Sequence, residues 1–128
     1  MKMIRGQLTI EYLFLALISL CLITISLGAL IKLQEAGTRI FHSGAFKSSV
    51  LDIYNSGEEL CAMGPGNTMK IKIKENVSIA QNETKTIFSN QDLNISISQD
   101  TNCKYQDIDL LANSEITIKN ENGEIRIE

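Results

Sequence analysis

One carboxylate stands at the front edge of a long uncharged run. From Tyr12 to Ile31 the chain carries no charged residue, and Glu11 immediately precedes that stretch. A charge at the centre of a bilayer costs about 2.5–3.5 kcal/mol on insertion scales and less near the edge, so an acid here implies a partner or a task. Four residues earlier stands Gln7, preceded by Gly6. A cut between those two would free an amino group one helical turn from Glu11. Elsewhere reactive side chains are sparse. Cys21 lies within the apolar run and reads as a small apolar filler, while Cys61 and Cys103 lie well beyond it. His42 is the only histidine and no two cysteines are closely spaced, so the spacing offers no zinc site. No G-x-S-x-G elbow, phosphate-binding loop or Cys/His constellation occurs, so neither an enzyme nor a cofactor is expected.

The element that must position Glu11 is the apolar segment ending at Leu33. At about 1.5 Å per residue, a helix of that length spans the roughly 30 Å hydrocarbon core of a bilayer. Lys2 and Arg5 stand before it. A secretory signal peptide would have an apolar region of about 7–15 residues and a small-residue cleavage site after it, and this run is too long. A lipoprotein signal would need a small residue before the cysteine, whereas Leu20 precedes Cys21. A plain signal anchor fits the length and leaves Glu11 unexplained. Cleavage before the apolar segment, between Gly6 and Gln7, keeps the helix and gives the acid a neighbour.

Gln7, Thr9, Glu11 and Leu15 resemble the archaeal class III signal peptide, Q-x-S-x-E-x-x-x-L after a basic residue and a glycine. Thr9 stands where that family usually has serine, another small hydroxyl residue. The resemblance covers the first quarter of the chain. It implies a type IV pilin: a membrane peptidase of the prepilin type removes residues 1–6, and the mature subunits polymerise through their N-terminal helices. Cleavage would remove Lys2 and Arg5, which hold the leader on the cytoplasmic side. Glu11 would then pair with the Gln7 amine of a neighbouring subunit, making a costly acid tolerable in the polymer. Two chemical alternatives stand beside this. An N-terminal glutamine can cyclise to pyroglutamate, and Glu11 can sit at headgroup level, favouring the helix N-terminus through the dipole.

The remaining chain is read from composition and periodicity. The 128 residues allow one globular unit at most, and the apolar fraction includes a helix that will not join a soluble core. The net charge is −3, and without Lys2 and Arg5 there are 10 basic against 15 acidic side chains, near −5. There is no basic patch of the kind nucleic-acid binders show. Phe46, Val50, Ile53 (with Tyr54), Gly57 and Leu60 recur at three- and four-residue spacing, predicting that the helix continues with one apolar face. Gly37 and Gly44 weaken it locally, with bends expected near them. Gly64-Pro65-Gly66-Asn67 stops it. The period then changes to two in Met69–Lys74, Leu93–Ser98, Glu115–Lys119 and Glu124–Glu128, with Val77–Ile79 and Thr84–Phe88 as further strands and Ile108–Leu111 ambiguous. Asn122-Gly123 signals a hairpin.

The expected fold is therefore α+β. Residues 1–6 form the leader, 7–36 an apolar helix, 37–64 its amphipathic continuation, and 65–128 a small antiparallel β head. Helix stripe and strand faces make one core, in which each buried isoleucine contributes about 1.5–3 kcal/mol. Such cores are marginal and often stapled. A Cys61–Cys103 bond would stabilise by roughly 4 kcal/mol in an oxidising compartment; two free thiols in a reducing one are the alternative. Three N-x-S/T sequons begin at Asn76, Asn82 and Asn94, the last expected on the polar side of its strand. One sequon means little by chance, but three in a short span fit a glycan-bearing exterior. Lys70, Lys72 and Lys74 form a basic stripe that reads as solubility and edge protection. Lys2 and Arg5 before the apolar run against Lys32, Arg39 and Lys47 after it leave the positive-inside rule undecided. Motif, sequons and cysteines together place the head outside the cell. The leading expectation is a surface-filament subunit serving adhesion, with other pilin subunits, the peptidase and the membrane as partners and no nucleic acid. The alternative is a monomeric, single-pass, membrane-anchored β domain that binds a partner or solute.

Overall fold

The structure is a computed structural model that describes the backbone of residues 2–128, with side chains from Thr9 onwards. It is α+β. Helix α1 spans Lys2–Met63 and is followed by eight strands: β1 Thr68–Lys72, β2 Val77–Asn82, β3 Lys85–Asn90, β4 Ile95–Asp100, β5 Lys104–Tyr105, β6 Ile108–Leu110, β7 Glu115–Glu121 and β8 Glu124–Ile127. The chain divides into two compact units, Met1–Thr38 and Arg39–Glu128.

Among the described residues, unit one is helical throughout, and its large apolar side chains from Ile10 to Leu33 are exposed. A helix apolar on every side belongs in lipid or in a packed interior. Helical backbone continues through Gly37 and Gly44, so neither glycine interrupts α1.

Unit two holds the core. Phe46, Val50, Ile53 and Leu60 bury the predicted stripe of α1 against Ile73, Val77, Ile79, Phe88, Tyr105, Leu110, Ile116, Ile118, Ile125 and Ile127. Every strand contribution comes from alternate positions, because successive strand side chains face opposite sides of a sheet. Two four-stranded sheets form, ordered β1-β7-β8-β5 and β4-β3-β2-β6. Their pairings are antiparallel except β5–β8, which is parallel. The ambiguous stretch at 108–110 is a strand, β6, paired with β2.

Several strand ends differ from the periodic reading, β2, β3 and β7 running further and β5 being unforeseen, and two of the differences have a visible local cause. The alternating run 69–74 leaves its ladder after Lys72, because Ile73 exchanges backbone hydrogen bonds with Asn113 and Ser114 while Lys74 N–H donates to Ser49 Oγ on α1. Leu93 and Asn94 belong to the turn before β4, where Asn90 Oδ1 accepts from Leu93 N–H and Asn94 adopts φ +53°. Asn94 therefore lies in a turn and not on the strand face. At the end of α1, Gly64 takes φ +87°, and Asn67 Nδ2 donates to the carbonyls of Met63 and Gly64. These carbonyls have no intrahelical partner, so the side chain closes the helix end. Asn122 and Gly123, both with positive φ, make the tight β7–β8 hairpin.

Candidate functional site

Glu11 and Leu15 lie one turn apart and so share a side of α1, and both are exposed. Ile10, Glu11, Phe14 and Leu15 border one shallow, mostly apolar depression. Of the expected cleavage pair, Gly6 and Gln7, the glutamine side chain lies outside the described residues, whereas Thr9 is within them. Between Ile10 and Leu33 even the least exposed of the large apolar side chains, Ile18, is 43 % exposed, so the bare surface encloses the whole circumference. Two hydroxyls in this stretch conceal their donors: Ser19 Oγ donates to Leu15 O (2.9 Å) and Thr24 Oγ1 to Leu20 O (2.8 Å). Hydroxyls satisfied within their own helix cost little in an apolar medium. Cys21 is a free, exposed thiol on the same surface. The helix is long and apolar enough to cross a membrane.

In unit two, Cys61 and Cys103 are joined by a disulfide with Cα atoms 6.0 Å apart. The bond ties the last turn of α1 to the β4–β5 loop. Two further links were not legible in the sequence. Glu58 accepts from both the backbone N–H and the side-chain amide of Asn102, next to the disulfide. His42 Nδ1 lies 2.6 Å from Glu75 Oε2, joining the other end of the packed helix segment to the β1–β2 connection. A third link did leave a signal. Asn120 occupies the inward phase of β7 after Ile116 and Ile118, a polar residue at a core position. It is buried, donates from Nδ2 to Leu60 O (2.9 Å) and accepts from Gly123 N–H at Oδ1 (3.0 Å). Every polar atom there finds a partner, which a buried amide requires.

Tyr105 is buried against α1, with its ring edge-to-face to Phe88. Burial pushes its phenol well above the usual tyrosine range, and the nearby Glu58 carboxylate and the Tyr54 phenol add to the shift. Its hydroxyl donates weakly to Tyr54 O (3.4 Å).

The three sequon asparagines stand in different surroundings. Asn82 ends β2 at the β2–β3 turn and is exposed, as is Asn94 in its turn. Asn76 is half-buried: its Oδ1 accepts from Ala112 N–H at 2.8 Å, and its Nδ2 faces Asp92 at 3.5 Å. With Ser78, Asn90, Asp92 and Asp109 it lines an open polar depression of about 250 Å³. Of the lysine stripe, Lys70 and Lys72 are exposed, while Lys74 donates to Ser48 Oγ (2.8 Å) and lies 3.8 Å from Asp52. Among the described residues, no group of three His, Cys, Asp or Glu side chains is placed to hold a metal ion. No protein family model matches the chain, and neither a curated protein nor a solved structure is detectably similar to it.

Proposed function

We propose that this chain is a structural subunit of an archaeal type IV pilus-like surface filament, cut after Gly6 by a prepilin-type peptidase and polymerised through its N-terminal helix. The observation that carries this reading is the bare apolar circumference of α1 from Ile10 to Leu33, with one carboxylate, Glu11, at its front edge. A contiguous apolar surface of this extent marks a membrane or a protein contact. A filament subunit uses it for both in turn, first stored in lipid and then packed against other copies. Heterologous contacts between copies generate an open helical filament when the rotation from copy to copy does not close into a ring. The disulfide and the exposed sequons at Asn82 and Asn94 support a head outside the cell, where the filament serves adhesion.

Mass spectrometry of the protein from its native membrane and from sheared surface material tests the reading. The mature chain is expected to begin at Gln7, as free amine or pyroglutamate, and to be the repeating component of filaments seen by electron microscopy. A Glu11→Ala variant is expected to be cleaved normally and to leave the cells bald. A chain that retains Met1 and stays monomeric in the membrane would instead be an anchored β domain.

A further inference from the structure

The two sheets end in four free edges, and these are not alike. β5 has two residues and β6 three, and the sheets adjoin where these strands lie. There Tyr105 N–H donates to Gln81 Oε1 and Gln81 N–H donates to Asp107 Oδ1. β1 and β4 are therefore the outer margins. Unpaired strand edges of five or six residues are templates for another chain unless they are blunted by charge, proline or a bulge. β4, Ile-Ser-Ile-Ser-Gln-Asp, has no lysine, no proline and no bulge in its register with β3. β1 carries Lys70 and Lys72, both exposed.

The two margins complement each other. On β1 the exposed positions are Thr68, Lys70 and Lys72, alternating with half-buried Met69 and Ile71. On β4 they are Ser96, Ser98 and Asp100, alternating with half-buried Ile95, Ile97 and Gln99. Met69, Ile71, Ile95 and Ile97 all pack on the core yet remain incompletely covered. A β1–β1 pair would oppose lysine to lysine, which is unfavourable across strands. A β1–β4 pair sets lysines beside serines and an aspartate, and joins the half-covered apolar residues on the inner face. The margins also point apart. Tyr54 Oη donates to Asp100 O at the end of β4, whereas Lys74, just past β1, meets Ser48 and Asp52. At 3.6 residues per turn those side chains leave α1 on opposite flanks of its buried stripe.

We propose that β1 of one subunit pairs with β4 of the next copy, so that the head sheets run on from subunit to subunit. The proposal rests on the filament reading and specifies a contact between heads, separate from the packing of the apolar helices. Different edges meet at each joint, so every copy keeps one edge for the next, as a filament subunit must.

In either strand direction, Lys70 falls beside Ser98 when the exposed positions are aligned. Full-length protein carrying Lys70→Cys and Ser98→Cys, assembled in cells beside the wild type and mildly oxidised, is expected to give a ladder of reducible multimers from sheared filaments. Neither single variant gives one. Filaments without a ladder overturn the pairing and leave the pilin reading standing. Dimers from Ser98→Cys alone show β4 pairing with itself and also overturn it. Cells that retain the leader and make no filaments overturn both ideas. A reconstruction of wild-type filaments reads the same contact without substitutions: β1 and β4 of neighbours about 4.8 Å apart support it, and heads separated by solvent reject it.

Discussion

The phenol of Tyr105 occupies the space that a side chain at Gly57 would need. A Cβ built on Gly57 would lie 2.0 Å from Tyr105 Oη and 2.6 Å from its Cζ. The missing methyl at position 57 lets the tip of the Tyr105 ring reach the helix, and the ring also meets Phe88 edge-to-face.

Gly57→Ala is therefore expected to destabilise unit two. Helix propensity favours alanine by about 1 kcal/mol. Overpacking costs about 1–3 kcal/mol and here cannot be relieved by a flexible side-chain tip, so the clash outweighs the gain. Urea unfolding should show a lower midpoint. Adding Tyr105→Phe removes the nearest atom and should recover part of the loss, but not all of it, since ring carbons remain within 3 Å.

Breaking the Cys61–Cys103 bond should cost about 4 kcal/mol in the chain-entropy model for a loop of this length. Cys103→Ser, or reductant added to the wild type, should lower the melting temperature by a similar amount. An additive effect of the two treatments would mean that some other bond is being reduced.

The raised Tyr105 phenol gives stability a defined alkaline limit. The folded state keeps this proton at pH values where the unfolded chain, titrating near the ordinary value of about 10, has lost it. The stabilisation is thus complete below about pH 10 and declines as pH rises from there towards the folded value. Unfolding measured from neutral to strongly alkaline pH should show this decline, and it should be shallower in Tyr105→Phe.

Glycan occupancy, where the chain is modified, should follow accessibility of the amide. Asn82 and Asn94 sit exposed at turns, whereas the Asn76 carboxamide already holds Ala112 N–H. Glycopeptide mass spectrometry should find sugar on Asn82 or Asn94 and little on Asn76. Asn76→Gln should perturb the β1–β2 connection even in unmodified protein.

Much of this arrangement is legible from local pattern. Phe46, Val50, Ile53, Gly57 and Leu60 announce the packed face of α1, because a 3.6-residue period leaves few other interpretations. Ile116, Ile118, Ile125 and Ile127 do the same for β7 and β8 at period two. What pattern cannot supply is partner choice. Nothing local says that Lys104-Tyr105 will lie parallel to β8, or that Glu75 will find His42, since these contacts depend on how distant segments meet. Asn94 was misplaced for a related reason. Its alternation continues that of β4, but Asn90 captures the preceding Leu93 backbone and turns the chain first. The proposed leader motif is legible in the residues alone.

The end of α1 meets the sheets through two adjacent residues. Leu60 offers its carbonyl to Asn120 at the root of the β7–β8 hairpin, and Cys61 is bonded to Cys103 beside β5. These two anchors differ in kind: the hydrogen bond can yield and re-form, whereas the covalent bond keeps the last turn of the helix tethered to the fold even while the root of the hairpin is open.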